Sequence, residues 1–214
     1  MKRVLGWVVG VPVVLVGLHT AAMLCTSSLN LTVYAQAPAP AALQVPNPKY
    51  AAIPMEITVN KPVAEVWKRV GKYCDIAEWL NLACTMQSGQ DGEVGAVRSL
   101  AGGRILEILV AKTEYSYTYA QPVREGVAYD MYHGTLEARP LTPTTTKMIY
   151  TLLVDQSSLA DDAARERDVQ SRRTNFTRAL ENMKILAEGG TLPPQPARGG
   201  GAPGGGAPAG GRGN

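Results

Sequence analysis

Three tyrosines stand at every second position in the segment EYSYTYAQP. Residues two apart in a β-strand point to the same face of the sheet, so Tyr115, Tyr117 and Tyr119 would form one stripe. A tyrosine combines an apolar ring with a polar tip, and small-molecule pockets are lined by this combination. The stripe would suit the wall of a pocket if it faces inward, although strand propensity alone also allows it to face solvent.

A single carboxylate, Glu107, interrupts the otherwise apolar segment RILEILV. A buried carboxylate is costly unless it is paired or hydrogen-bonded, and Arg98, on the preceding predicted strand, is its natural cross-strand partner. Two roles for Glu107 stay open. It could form a structural ion pair, or it could anchor a ligand or transfer protons within a pocket.

Other common chemistries find little support in the sequence. His133 is the only histidine outside the N-terminal segment, no Ser or Cys nucleophile motif accompanies it, and it would face outward if Tyr132 faces inward. The segment GGR at 102–104 indicates a hairpin turn and not a phosphate-binding loop, and the cysteines lack zinc-site spacing. The formal net charge is +3 without a basic block, which does not predict nucleic-acid binding. We predict neither a cofactor nor a metal ion.

Both ends of the 214-residue chain are predicted to lie outside the fold. Lys2 and Arg3 precede an apolar run close to the roughly 20 residues that a membrane-spanning helix needs, which is typical of a signal peptide or an N-terminal anchor. The segment VYAQ offers a cleavage site before Gln36, which predicts a periplasmic or secreted protein. An uncleaved anchor with membrane association is the alternative. The predicted division is leader 1–35, linker 36–52, folded domain 53–188 and a disordered tail rich in Gly, Pro and Ala, 189–214.

Two cysteines, Cys74 and Cys84, remain after the leader is removed. In an exported protein an even count suggests a disulfide. Buried free thiols, which behave as small hydrophobic side chains, are the alternative, and the sequence leaves both open.

The folded part predicts a strand, two short helices, about six strands and one long helix. Asn60 is the predicted cap of the first helix, with Pro62 in its first turn, and Asp75 is the predicted cap of the second. The strand segments are short and separated by turn residues, which favours an antiparallel meander. The long helix begins near Asp161, and its apolar stripe is thin in the first half and rich in the second. A curved sheet wrapped around this helix is the economical packing.

The order of these elements, with the residues they carry, resembles the helix-grip superfamily, also called SRPBCC or START-like, and within it the polyketide cyclase/dehydrase-like and lipid-transport-like branch. Four segments carry the likeness: ITVNKPVAEVWKRVGKYCDIAEWL, GEVGAVRSLAGGRILEIL, YSYTYAQP with YHGTLEARP, and LENMKILAE. The resemblance implies an α+β helix-grip fold, in which a curved antiparallel sheet of about seven strands wraps around a long C-terminal helix. Two short helices follow the first strand.

The resemblance also implies a cavity between the sheet and the long helix, which holds a lipid, polyketide or similar molecule. We therefore predict an exported binding protein for a small hydrophobic ligand, with Tyr117 and at least one neighbouring tyrosine lining the cavity beside Glu107. The alternatives are a cyclase/dehydrase-type enzyme, in which Glu107 and a tyrosine act as acid and base, and an interaction protein with a collapsed cavity. Arg172 and Arg173 are expected to come near the cavity. The full set of predicted ligand-binding residues is Trp79, Arg98, Glu107, Tyr115, Tyr117, Tyr119, Tyr132, Tyr150 and Phe176.

Overall fold

The computed structural model describes residues 47–194. The predicted leader and most of the predicted tail lie outside the described residues. The elements, in chain order, are β1 (Tyr50–Val59), α1 (Val63–Val70), α2 (Ile76–Trp79), β2 (Cys84–Ser88), β3 (Val97–Leu100), β4 (Ile105–Thr113), β5 (Ser116–Ala120), β6 (His133–Thr142), β7 (Thr145–Asp155) and α3 (Asp162–Ala187). None of these helices is both long and apolar enough to cross a membrane.

The seven strands form one antiparallel sheet in the order β1-β7-β6-β5-β4-β3-β2. Strands β2 to β7 follow one another as a meander, and β1 closes the sheet by pairing with β7, with Tyr50 opposite Asp155 and Val59 opposite Thr146. Helix α3 packs against β1 and β7. The predicted helix-grip fold is thus confirmed. Strand β1 begins at Tyr50, so the end of the segment predicted as a linker belongs to the sheet, because its backbone pairs with the end of β7.

Helix α3 begins where the sequence predicted, whereas α1 and α2 lack their predicted caps. Oδ1 of Asp161 accepts a hydrogen bond from the Ala164 N–H at 2.7 Å and caps α3. The predicted cap of α1 is wrong: Pro62 occupies the N-cap position, and the Asn60 N–H donates instead to Glu188 at the end of α3, at 2.8 Å. Asp75 precedes α2 without capping it, since its carboxylate accepts from the Lys72 N–H.

The core lies between the sheet and the three helices. Helices α1 and α2 bury Val66, Val70, Ile76 and Trp79. The buried residues of α3 run from Arg172 to Ala187, all in its second half or close to it. The first half of α3, where the apolar stripe is thin, therefore buries few side chains in the core. The space beside this half contains the candidate site.

Candidate functional site

An ion pair between β3 and β4 forms the floor of the site. Arg98 lies directly opposite Glu107 in the strand register. Nε of Arg98 donates to Oε2 of Glu107 at 2.7 Å, and a second guanidinium nitrogen lies 2.6 Å from the same oxygen. The exposed fractions are 0% for Arg98 and 3% for Glu107. The two charges that the sequence placed on neighbouring strands are thus brought together in the protein interior.

Aromatic rings and a backbone carbonyl hold the Arg98 guanidinium in place. Its central carbon lies 4.1 Å from the ring centroid of Tyr73 and 4.8 Å from that of Tyr119, and Nη1 donates to the carbonyl oxygen of Tyr73. Burial by itself lowers the pKa of Arg98, but the Glu107 carboxylate and the neighbouring tyrosine hydroxyls together more than offset this effect, so the pKa lies above the ordinary arginine value. The guanidinium therefore stays charged.

Glu107 uses its two oxygens differently. Oε2 is taken by Arg98, whereas within residues 47–194 Oε1 accepts one long hydrogen bond, from Nε2 of Gln121 at 3.3 Å. A carboxylate oxygen has capacity for more than one donor. Oε1 is therefore available to a further hydrogen-bond donor, and both Glu107 and Gln121 line the adjacent cavity.

The cavity lies between the sheet, α2 and the first half of α3, and its volume is about 140 Å³. Its lining combines apolar and polar side chains. The exposed Ser171 lies at its rim, so the cavity runs from the buried Glu107 towards solvent. Its lining residues are Ile76, Leu80, Leu82, Leu100, Ile105, Glu107, Tyr119, Gln121, Tyr132, Asp168, Ser171, Arg172, Asn175 and Phe176.

Two buried tyrosines form part of the polar wall. The hydroxyl oxygen of Tyr119 lies 2.8 Å from that of Tyr150, which stands behind it in the core. Tyr119 lies opposite Gly134 on β6, and a Cβ at Gly134 would fall 2.3 Å from the Tyr119 ring. Glycine is thus required at position 134, because the Tyr119 ring occupies the space that a side chain there would take. Burial raises the pKa of Tyr119 and of Tyr132 well above the ordinary tyrosine value, so both phenols stay protonated at neutral pH.

A charged network that the sequence reasoning missed joins α3 to the loop before β6. Nε of Arg172 donates to Oδ2 of Asp168 at 2.8 Å, and its Nη2 lies 3.5 Å from Asp130. Its guanidinium also lies over the ring of Tyr132, 5.4 Å from the centroid. Burial raises the pKa of Asp130, and Arg172 offsets part of that rise.

A signal for this network was present in the sequence. Asp168, Arg172 and Asn175 are spaced i, i+4 and i+7, which places them on one helix face. Phe176, which does belong to the core, adjoins that face. Arg172 reaches the cavity as expected, but Arg173 does not, because its guanidinium donates to the carbonyl oxygen of Pro54 on β1.

The predicted ligand-binding residues fall into three groups in the structure. Glu107, Tyr119, Tyr132 and Phe176 line the cavity. Arg98, Trp79 and Tyr150 stand behind its wall as buried core residues: the Tyr150 ring lies 4.7 Å from that of Phe176 and 6.3 Å from that of Trp79, between centroids. Tyr115 and Tyr117 form the third group, away from the cavity.

The expectation that Tyr117 shares a cavity with Glu107 does not agree with the structure. Its ring does face inward, but the neighbouring space is filled by Tyr73, edge-on at 5.4 Å between centroids, and by the Arg98 guanidinium at 6.0 Å. Tyr117 instead lines a separate cavity. Tyr115 precedes β5 and is only half-buried, because it lies at the turn that joins β4 to β5.

A disulfide joins Cys74 to Cys84, with their Cα atoms 5.6 Å apart. It ties the connection between α1 and α2 to the first residue of β2, an edge strand of the sheet. Of the two alternatives that the sequence left open, the structure has the bonded one. Among residues 47–194, no group of three or more His, Cys, Asp and Glu side chains is arranged to hold a metal ion.

Comparison with known proteins agrees with the fold. Residues 51–188 match the family described as polyketide cyclase/dehydrase and lipid transport. A solved structure from Nitrosospira multiformis is 25% identical, with a TM-score of 0.50, and the match covers 64% of this chain and 96% of that one. The comparison with curated proteins found no match.

Two further solved structures share the fold at lower identity. One, from Thermobifida fusca, is 21% identical with a TM-score of 0.55, over 66% of this chain and 97% of that one. The Zhui aromatase/cyclase from Streptomyces sp. R1128 is 15% identical with a TM-score of 0.51, over 67% and 100%. The family match covers most of the chain and nearly all of the described fold, and the chain therefore belongs to the polyketide cyclase/dehydrase and lipid transport family.

Proposed function

We propose that this chain is an exported binding protein, which holds a small hydrophobic ligand with one polar group in the cavity between the sheet and α3. Members of the family bind hydrophobic ligands or act as polyketide cyclases. The observation that carries the proposal is the different hydrogen bonding of the two Glu107 carboxylate oxygens. Arg98 engages one carboxylate oxygen, and the other stays available to a donor on the ligand.

The size and lining of the cavity define the ligand class. A volume of about 140 Å³ is close to the roughly 150 Å³ of an apolar protein cavity that binds benzene. The ligand, or the part of it that is buried, is therefore about one ring in size. Leu80, Leu100 and Ile105 supply apolar contacts. A carboxylate in an ion pair accepts hydrogen bonds and does not donate them, so the ligand's polar group is a donor such as a hydroxyl or an amine.

The same geometry favours binding over acid-base catalysis. The phenols of Tyr119 and Tyr132 have raised pKa values because they are buried, which makes them poor acids and leaves no phenolate base at neutral pH. Arg98 also occupies one oxygen of the candidate catalytic carboxylate. The ion pair alone would suit an interaction protein with a collapsed cavity, but a cavity that reaches the exposed Ser171 favours a ligand.

Export is part of the proposal, and two observations support it. The basic start and apolar run of residues 1–35 have the composition of a signal peptide. The bond between Cys74 and Cys84 is of a kind that persists in oxidising compartments. We expect N-terminal sequencing of protein recovered from the periplasm or the medium to begin near Gln36. Intact Met1 on membrane-bound protein would support the anchor instead.

Native mass spectrometry of protein purified from its own host tests the binding function. We expect a non-covalent adduct with the wild type. Leu82→Phe enlarges a side chain that lines the cavity and should abolish the adduct, whereas Leu141→Phe, at a position 50% exposed on β6, should retain it. A wild type without an adduct, or an adduct that survives Leu82→Phe in a folded protein, would contradict the proposal.

A further inference from the structure

The cavity carries a charged side chain on each of two facing walls. Glu107 lies on the sheet, and Arg172 lies on α3. The proposed function assigns a ligand contact to Glu107 alone. What Arg172 can offer to the same ligand depends on which of its donors and how much of its charge are already used.

The Arg172 guanidinium is held in place on several sides. Its Nε donates to Oδ2 of Asp168 at 2.8 Å. Gln156, which is only 5% exposed, donates to the same oxygen at 2.9 Å and so fixes the carboxylate. The guanidinium also lies over the ring of Tyr132. Arg172 itself is only 8% exposed, and its position is therefore set before a ligand enters.

Part of the hydrogen-bonding capacity of Arg172 is unused. A guanidinium has five N–H donors. Among residues 47–194, Nη1 has no hydrogen-bond partner, and it retains accessible surface, unlike the enclosed hydroxyl of Tyr117. Asn175, one turn further along α3, also lines the cavity, and its side chain makes no hydrogen bond within the described part of the chain. An oxygen acceptor in the cavity would therefore find donors on this wall.

The charge of Arg172, in contrast, is already compensated. Asp168 lies 2.8 Å and Asp130 lies 3.5 Å from guanidinium nitrogens. An anionic ligand group at this wall would meet two carboxylates, and such a like-charge contact selects against it. Open donors beside a compensated charge therefore suit a neutral oxygen acceptor, such as a carbonyl, better than a carboxylate.

We propose that Arg172 is a second anchor of the cavity, and that the ligand is a small ring with a hydroxyl or amine at one end and a neutral carbonyl oxygen at the other. This inference rests on the proposed function and adds a second polar group to the ligand. The hydroxyl or amine donates to Oε1 of Glu107 on the sheet, the ring packs on Leu100 and Ile105, and the carbonyl oxygen accepts from Nη1 of Arg172 on the helix.

The probe is 4-hydroxyacetophenone, titrated into the full chain while the backbone amide resonances are followed by NMR. We expect saturable shifts at residues 119–121 and 171–176. 4-Ethylphenol has nearly the same outline but no carbonyl, so it should bind about tenfold more weakly, the usual worth of one hydrogen bond to a charged group. 4-Hydroxybenzoate carries an anionic carboxylate in place of the acetyl group and should also bind more weakly than the ketone.

Two neighbouring arginines provide a matched pair of variants. Arg172→Met should remove the preference for the ketone over 4-ethylphenol. Because both affinities are measured in the same variant, a general loss of stability does not create or hide this result. Arg173→Met should keep the preference of about tenfold, since Arg173 donates to the carbonyl oxygen of Pro54 and does not line the cavity.

The possible outcomes separate this inference from the proposed function. If wild-type protein binds 4-ethylphenol as tightly as the ketone, or 4-hydroxybenzoate more tightly, the inference is overturned and binding through Glu107 still stands. A preference for the ketone that persists in Arg172→Met also overturns it. The absence of any shift at the cavity with all three probes at about 10 mM would contradict both. The wild-type comparison is valid even where a variant misfolds.

Discussion

Arg98 and Glu107 face each other across β3 and β4, and the Nε of Arg98 donates to the Oε2 of Glu107 at 2.7 Å in the protein interior. The Tyr73 and Tyr119 rings pack on the guanidinium. The attraction between two buried charges is largely offset by what it takes to dehydrate them. Removing only one partner is therefore expected to destabilise the protein more than removing both.

Glu107→Leu is expected to lower the free energy of unfolding by about 3–5 kcal/mol, because it leaves the Arg98 charge buried and unpaired. Urea denaturation with the disulfide intact measures the change. The double variant Arg98→Met with Glu107→Leu removes both charges and should recover much of the loss. A double variant that is no more stable than Glu107→Leu alone would show that the pair is not the cause.

Reduction of the disulfide should destabilise the fold by about 3 kcal/mol, since the bond closes a short loop between Cys74 and Cys84. The matched variant is Cys74→Ser with Cys84→Ser, measured against wild type in urea with and without reductant. The reductant should weaken the wild type and leave the double variant unchanged. Equal stability of oxidised and reduced wild type would contradict this expectation.

Gly134→Ala should destabilise the protein by about 1–3 kcal/mol, the usual effect of overpacking. The added Cβ would lie 2.3 Å from the Tyr119 ring, which must then move and loosen its contact with the Tyr150 hydroxyl. Thermal unfolding measures the loss. In a Tyr119→Ala background the obstacle is gone, so Gly134→Ala should have little further effect, and an undiminished effect there would exclude the ring contact as its cause.

Acid should destabilise the fold partly through Asp155. Partial burial alone would raise the pKa of this carboxyl, but hydrogen bonds from the Lys49 N–H and from Ser157 lower it below the ordinary aspartate value. Its contribution is therefore complete above the unfolded-state pKa of about 3.9 and disappears as the pH falls through the folded-state pKa. Asp155→Asn should be less stable than wild type at pH 7 and nearly equal to it at about pH 2. A difference that persists in acid would contradict the assignment.

The sequence predicted the fold well because its strongest signals are local. Turn residues between short strand segments were sufficient for the meander, and Asp161 with the apolar spacing after it was sufficient for α3. The pairing of Arg98 with Glu107 could also be predicted. A buried charge needs a partner, and two opposite charges on neighbouring apolar strands have few others. The predicted caps of α1 and α2 were wrong: the Asn60 N–H donates to Glu188, a residue distant in sequence, and the Asp75 carboxylate accepts from the Lys72 N–H.

The cavity could be predicted only in part. A strand pattern shows which residues share a face of the sheet, but not which positions along that face border an open space. Tyr117 and Tyr119 share one face of β5, yet they line different cavities, because Tyr73 and Arg98 fill the adjoining space. Which stretch of a stripe stays open depends on side chains that come from other elements. The polar face of α3 is a further example. The spacing of Asp168, Arg172 and Asn175 could be seen in the sequence, but the fact that they line the cavity could not.

The pairing of β1 with β7 has a consequence for the order in which the molecule can fold. Lys49, just before β1, and Asp155, at the end of β7, are hydrogen-bonded although they are 106 residues apart. Contacts between distant residues form late, because closing a long loop must precede any gain from it. Among the described strands, β1 is synthesised first and is thus the last to find its neighbour, and until then its backbone remains an unpaired edge that another chain can join.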